Sequence, residues 1–188
     1  MAETTDRAPP ASPGGQTQKV EAMIRVDHAG EFGAVQIYRG QRAVFERIAG
    51  KEKAAALIAD MEEGEKAHLE TFDRLVRERR VRPTALAPLW HVAGFGLGAV
   101  TALMGEKAAH ACTAAVEEVI EGHYGAQASA LGESEPELKS TIEKFRADEI
   151  GHRDTAIENG AHEAPAYPLL SAAIKLGCRI AIRASEIV

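Results

Sequence analysis

Aromatic residues are scarce in this chain, at 5% of its 188 residues, and Ala is abundant. No stretch alternates apolar and polar residues as a half-buried strand would, so the composition points to an all-helical domain. Cysteine is nearly absent: Cys112 and Cys178 are the only two, and no Cys-x-x-Cys pair occurs. That excludes a disulfide framework and a zinc site, and makes a reducing compartment the default. A glycine fingerprint for dinucleotides is also missing. The net charge of −6 argues against general nucleic-acid binding. Residues 1–18 lack periodicity and hold Pro9, Pro10, Pro13, Gly14 and Gly15, the composition of a disordered tail. With Glu3, Asp6, a lone Arg7 and no apolar run, this tail is expected to be neither a secretory signal nor an Arg-rich transit peptide. Residues 19–188 are enough for one domain with a sizeable core.

What the chain does contain is a repeated motif. Glu65-Lys66-Ala67-His68 and Glu149-Ile150-Gly151-His152 both read Glu-x-x-His. On a helix, residues three apart share a face, so each pair aims a carboxylate and an imidazole at one point. The first face runs Ile58, Met61, Glu65, His68, Phe72, Leu75, and the second Leu138, Ile142, Phe145, Glu149, His152, Ala156. Both polar pairs thus interrupt apolar stripes. The tetrapeptide alone says little: 22 Glu and 7 His in 188 residues give roughly 0.8 matches by chance, and either pair alone reads as a half-exposed helix with a hydrogen-bonded His. The companions change that. Glu31 stands 34 residues before Glu65 and Glu117 stands 32 before Glu149, each on a largely uncharged helical face. A helix pair used twice would bring four glutamates and two histidines together, the ligand set of a di-iron or di-manganese carboxylate bundle.

The periodicity predicts helices over 18–48, 52–80, 106–131 and 136–158, and a further helix with a basic side in 164–188. Gly30, Gly33 and Gly40 lie inside the first helix, each costing up to about 1 kcal/mol against Ala. They imply either a kink or the close approach of a helix or ligand beside Glu31. In the second helix, Glu62, Glu63, Lys66 and Glu70 fall off the apolar stripe and read as a solvated face. In the third, Glu117 and Glu118 cannot both point inward. Glu117 shares its face with Ala114 and Tyr124, and Glu121 is a candidate for the same cavity.

Between the two halves, residues 83–105 contain no charged side chain and follow a cluster of Arg74, Arg77, Arg79, Arg80 and Arg82. At 23 residues the segment is long enough to span a bilayer, but Pro83, Pro88, His91, Gly94, Gly96 and Gly98 argue against spanning, and a span would separate the half-sites. A crossover resting on a membrane surface fits better, with arginines on headgroups and Leu89, Trp90, Phe95 and Leu97 at the acyl boundary. The alternative is an apolar crossover packed on the bundle or on a partner.

Glutamate and imidazole ligands suit iron or manganese with open positions. Such a centre serves an oxygen-activating hydroxylase or desaturase, a peroxidase, or an iron-storage ferroxidase. The apolar crossover favours a lipophilic substrate. The segments Asp27-His28-Ala29-Gly30-Glu31-Phe32-Gly33-Ala34 and Ala111-Cys112-Thr113-Ala114-Ala115-Val116-Glu117-Glu118, with Ala164-Pro165-Ala166-Tyr167, Gly177-Cys178-Arg179 and Ser185-Glu186, resemble the demethoxyubiquinone hydroxylase family of ubiquinone biosynthesis.

The resemblance implies a ferritin-like four-helix bundle with a long crossover between its second and third helices and an extra C-terminal helix. It implies iron ligands Glu31, Glu65, His68, Glu117, Glu149 and His152, with Glu65 and Glu149 bridging two irons. His123 and Tyr124 match a His-Tyr pair of the family and stand either beside the ligands or in the ordinary core. The implied reaction is hydroxylation of the ring of 2-polyprenyl-3-methyl-6-methoxy-1,4-benzoquinol by dioxygen, with electrons traced to NADH. The implied partners are the polyprenyl quinol, a membrane surface and other ubiquinone-biosynthesis proteins, and no nucleic acid. The expected place is the cytoplasmic face of a bacterial cell membrane, or the matrix side of the inner membrane if organellar.

Overall fold

The computed structural model of the chain describes residues 13–188. Among these the α-helices are α1 (Pro13–Phe45), α2 (Glu52–Glu78), α3 (Ala87–Leu103), α4 (Glu106–Leu131), α5 (Pro136–Glu158) and α6 (Tyr167–Ile187), with a 3-10 turn at Ala161–Glu163. Helices α1, α2, α4 and α5 form the four-helix bundle. The observed α4 and α5 have the bounds that periodicity predicts. Helix α1 begins at Pro13, so residues 13–18 of the expected tail are helical. Proline suits a first turn, where its missing N–H would have had no partner. The rest of that expected tail, residues 1–12, lies outside the described residues.

Two apolar clusters fill the bundle, one at each end. The first joins Ile24, Phe72, Tyr124, Leu138, Ile142 and Phe145. The second joins Tyr38, Phe45, Ala55, Ile58, Met61 and Ala109. The inward carboxylates lie between them, so apolar packing at both ends fixes the four helices around a polar layer. Burial of this kind is the main favourable term in folding.

The crossover is itself a helix, α3, laid along α1. Gly94 and Gly98 of α3 and Gly40 of α1 lie where the two backbones meet. A methyl carbon at Gly98 would overlap the Ile37 carbonyl oxygen, and one at Gly40 would overlap that of Phe95. Helix α1 continues unbroken through Gly30, Gly33 and Gly40, and close approach of α3 accounts for Gly40. The opposite edge of α3 is bare: Leu89, Val92, Val100 and Leu103 are 53–72% exposed. Two side chains expected at a membrane boundary turn inward instead. The Trp90 indole N–H donates to Ser185 Oγ of α6 at 3.0 Å, and Leu97 lines a cavity. Among the described residues no helix is long and apolar enough to cross a membrane. Gly105, at φ +116°, joins α3 to α4 in a conformation that a side chain would strain.

Helix α6 lies across α4 and α1. It carries a second row of exposed apolar side chains, including Leu169, Leu176 and Ile180. Between α1, α3, α4 and α6 a cavity of about 510 Å³ is lined by Gly30, Gly33, Leu97, Ile120, Ile174, Gly177 and their apolar neighbours.

Candidate metal centre

Glu31 of α1, Glu65 of α2, Glu117 of α4 and Glu149 of α5 converge in the polar layer, none more than 1% exposed. Each sits on the inner stripe of its helix, where the 3.6-residue period brings it to the bundle axis. The two imidazoles stand with ring centroids 6.5 Å apart. His68 Nδ1 lies 3.1 Å from Glu149 Oε1 and 3.5 Å from Glu31 Oε2. His152 Nδ1 lies 2.9 Å from Glu65 Oε1 and 3.3 Å from Glu149 Oε2. Two overlapping groups result, Glu31–Glu65–His68–Glu149 and Glu65–Glu117–Glu149–His152. Within each, one ligand atom per residue lies within 4.8 Å of all the others. Glu65 and Glu149 belong to both.

Tyrosines cross the layer in a matched pair. Tyr38 Oη on α1 donates to Glu117 Oε1 on α4 at 2.7 Å, and Tyr124 Oη on α4 donates to Glu31 Oε1 on α1. Each tyrosine stands seven residues after the glutamate of its own helix, so the two helices are antiparallel and related by an approximate two-fold through the site. Burial, then the neighbouring carboxylate charge, pushes both phenols well up, which keeps them protonated as donors.

The electrostatics are those of a site short of positive charge. Burial first, then the charge of Glu149, raises the Glu65 and Glu117 carboxyls well above their usual range. Burial opposes the charge on Glu149 and His68 too, but the contacts between them and with His152 and Glu31 prevail. Glu149 is held down to about 2 and His68 pushed up to about 10. Oxygens of Glu31, Glu65, Glu117 and Glu149, and Nδ1 of His68, are buried without a hydrogen-bond partner. Buried polar atoms are normally paired. Orphaned oxygens aimed at one point, on residues that cannot all stay ionised alone, are what a pair of cations would complete.

Other side chains stand elsewhere than expected. Glu121 does not line this layer, because Arg146 and Arg153 of α5 hold it at 2.9 and 2.6 Å. Glu62 is not on a solvated face: it is 1% exposed, and Arg42 and Lys66 meet it at 2.5 and 3.0 Å. Those cations come partly from α1, which α2's own stripe does not reveal. Glu118 points outward to Lys175 at 2.6 Å. His123 Nε2 lies 3.3 Å from Asp27 Oδ1 and 2.8 Å from Gln127 Nε2, one step back from the carboxylates. Tyr38, Asp148 and Gln127 were not singled out by sequence. The seven-residue spacing that Tyr38 shares with Tyr124 is a signal that would have found it. Nothing in the stripe of α5 marks Asp148.

Residues 18–185 match the family described as Ubiquinone biosynthesis protein COQ7. The chain belongs to that family. It is 54% identical to the 3-demethoxyubiquinol 3-hydroxylase of Rhodospirillum rubrum over 89% of this chain and 77% of that protein. Identity to the NADPH-dependent 3-demethoxyubiquinone 3-hydroxylase, mitochondrial, of Homo sapiens is 48%, again over 89% and 77%. The 5-demethoxyubiquinone hydroxylase, mitochondrial, of Saccharomyces cerevisiae is 41% identical over 91% and 79%. Membership agrees with the ferritin-like bundle. The human relative's name carries NADPH where the sequence reading expects NADH.

Proposed function

We propose that this chain is a di-iron, oxygen-dependent hydroxylase that puts one oxygen atom onto the ring of a polyprenyl demethoxyubiquinol in ubiquinone biosynthesis. The observation that carries the reading is a double carboxylate–imidazole cluster with orphaned oxygens, together with a largely apolar cavity of about 510 Å³ lined by Gly30 and Val116, the chain neighbours of Glu31 and Glu117. One iron would be held by Glu31 and His68, the other by Glu117 and His152, with Glu65 and Glu149 shared. Two irons held there would offer the open positions and the redox capacity that dioxygen activation needs, recharged by an outside reductant.

The chain's own residues supply the rest. Tyr38 and Tyr124 fix one oxygen each of Glu117 and Glu31 and leave the other free for metal. The apolar lining excludes water and receives the isoprenoid tail, while Gly30 and Gly33 keep the cavity wall beside Glu31 low. One oxygen atom replaces a ring hydrogen as hydroxyl; the other leaves as water, with two electrons and two protons from a reductant. We take that reductant to be a reduced nicotinamide, acting directly on the quinone or through another protein.

The exposed apolar rows of α3 and α6 support peripheral attachment, both helices lying flat on a membrane. Substrate would then enter from the bilayer. The relatives named above are all hydroxylases, which leaves the peroxidase and iron-storage alternatives without support. The test is to give reduced protein labelled dioxygen and a demethoxyubiquinol analogue, with NADH and NADPH in parallel. One labelled oxygen in the product is the expected result. Peroxide consumption without labelled product would sink the reading.

A further inference from the structure

The two Glu-x-x-His units look alike in sequence, yet their surroundings differ at the residue just before each glutamate. In α5 that residue is Asp148, and in α2 it is Gly64. Asp148 Oδ2 lies 3.2 Å from Nε2 of His68, the ring nitrogen that points away from the cluster. Lys144 Nζ stands 3.5 Å from the same oxygen. The Phe145 ring stacks on the His68 imidazole with centroids 3.9 Å apart and planes 27° apart. The His68 ring is therefore held at its edge and on its face. For His152 the matching nitrogen faces the α2 backbone: a methyl carbon at Gly64 would sit 3.2 Å from Nε2. No hydrogen bond to that nitrogen exists among the described residues. Even a methyl carbon at Gly64 would be tight against the ring.

Resting on the di-iron reading above, we infer that Asp148 is a positioning residue and that the two half-sites take up metal unequally. Asp148 accepts the Nε2–H of His68, which fixes the tautomer with Nδ1 bare toward the metal and raises its basicity. His152 has no such partner on Nε2, so nothing outside the cluster fixes its tautomer before metal enters. The half-site of Glu31 and His68 fills first, and that of Glu117 and His152 second.

The experiment is an anaerobic titration of the metal-depleted full chain with ⁵⁷Fe(II), followed by equilibrium dialysis and Mössbauer spectroscopy. Wild type is expected to bind two irons in two steps, the first equivalent entering one environment. Asp148→Ala should weaken the first step by about 10- to 100-fold, the usual effect of losing such a partner, and spread the first equivalent over two environments. Asp148→Asn keeps a carbonyl acceptor and should recover most of the loss. His152→Ala should remove the second step alone. Thermal unfolding of each metal-free variant separates a folding defect from a site defect. Equal weakening of both steps in Asp148→Ala, no change in either, or a single cooperative uptake by wild type would overturn the inference. Failure of wild type to bind iron at all would instead overturn the di-iron reading beneath it.

Discussion

Helices α1–α3 and α4–α6 follow one plan: a helix with a buried Glu and a Tyr seven residues on, a helix with Glu-x-x-His, then a helix with proline in its first turn and a row of exposed apolar side chains. The halves match in their Glu, Tyr and Glu-x-x-His residues and part company around them, at Asp148 and Gly64 and in the packing of the third helices. Helix α3 is pressed onto α1 with backbone against backbone at Gly40, Gly94 and Gly98. Helix α6 stands off, and Gly177 meets nothing within 4 Å. The gap so left is the apolar cavity. A duplicated plan thus gives a paired carboxylate–imidazole cluster, and unequal packing of the third helices leaves the apolar cavity beside α6.

The largest expected effect breaks the matched part. Glu65 belongs to both ligand groups, so Glu65→Ala should lose both irons, whereas His152→Ala should keep one. Elemental analysis of folded protein, judged by circular dichroism, reads this directly. A Glu65→Ala chain with two irons would remove the shared carboxylate from the scheme.

Next in size is the tight contact of the first half. Gly98→Ala pushes a methyl group into the Ile37 carbonyl and toward the Gln41 amide, and backbone cannot step aside as a flexible side chain can. Overpacking of this kind costs about 1–3 kcal/mol or more. For a chain of this size each kcal/mol moves the melting temperature by about 2–4 °C. Gly96→Ala, on the open side of the same helix, is the control and should show no loss. Equal melting temperatures for the two variants would mean that α3 does not sit on α1 as described.

The tyrosine pair sharpens the comparison at a smaller scale. Tyr38→Phe and Tyr124→Phe each remove one donor from a buried carboxylate. An unmade bond to such a group costs about 1–3 kcal/mol. The two-fold arrangement expects similar losses in the two variants, measured by denaturant unfolding of metal-free protein. A loss confined to one would show that the halves differ here as well.

Much of this was legible from spacing. The inward stripes of α2 and α5 placed Glu65, His68, Glu149 and His152 on buried faces, and the repeat added Glu31 and Glu117. What stayed hidden depends on neighbours from other helices. The periodicity of α2 puts Glu62 off the stripe, but Arg39 and Arg42 of α1 cover it. Glu121 has the right spacing to follow Glu117, yet two arginines of α5 draw it away. The 83–105 segment announced its apolarity but not its direction. Which of its residues face α1 is set by where glycines allow contact, so Trp90 and Leu97 turned inward against expectation.

The smallest effect concerns the loose contact of the second half, at Gly177. With open space around it, Gly177→Ala should cost nothing in packing. It should gain up to about 1 kcal/mol, because Ala is the better helix former in an interior position. The added methyl group projects into the cavity, which Gly177 lines along with Gly30 and Gly33. A modest rise in melting temperature is therefore expected, together with a raised KM for a long-tailed quinol and little change for a short-tailed one. Metal uptake should be untouched, since the substitution lies outside the polar layer. A fall in stability would show that α6 closes onto α1 as α3 does. An unchanged KM for every tail length would mean that the tail runs elsewhere.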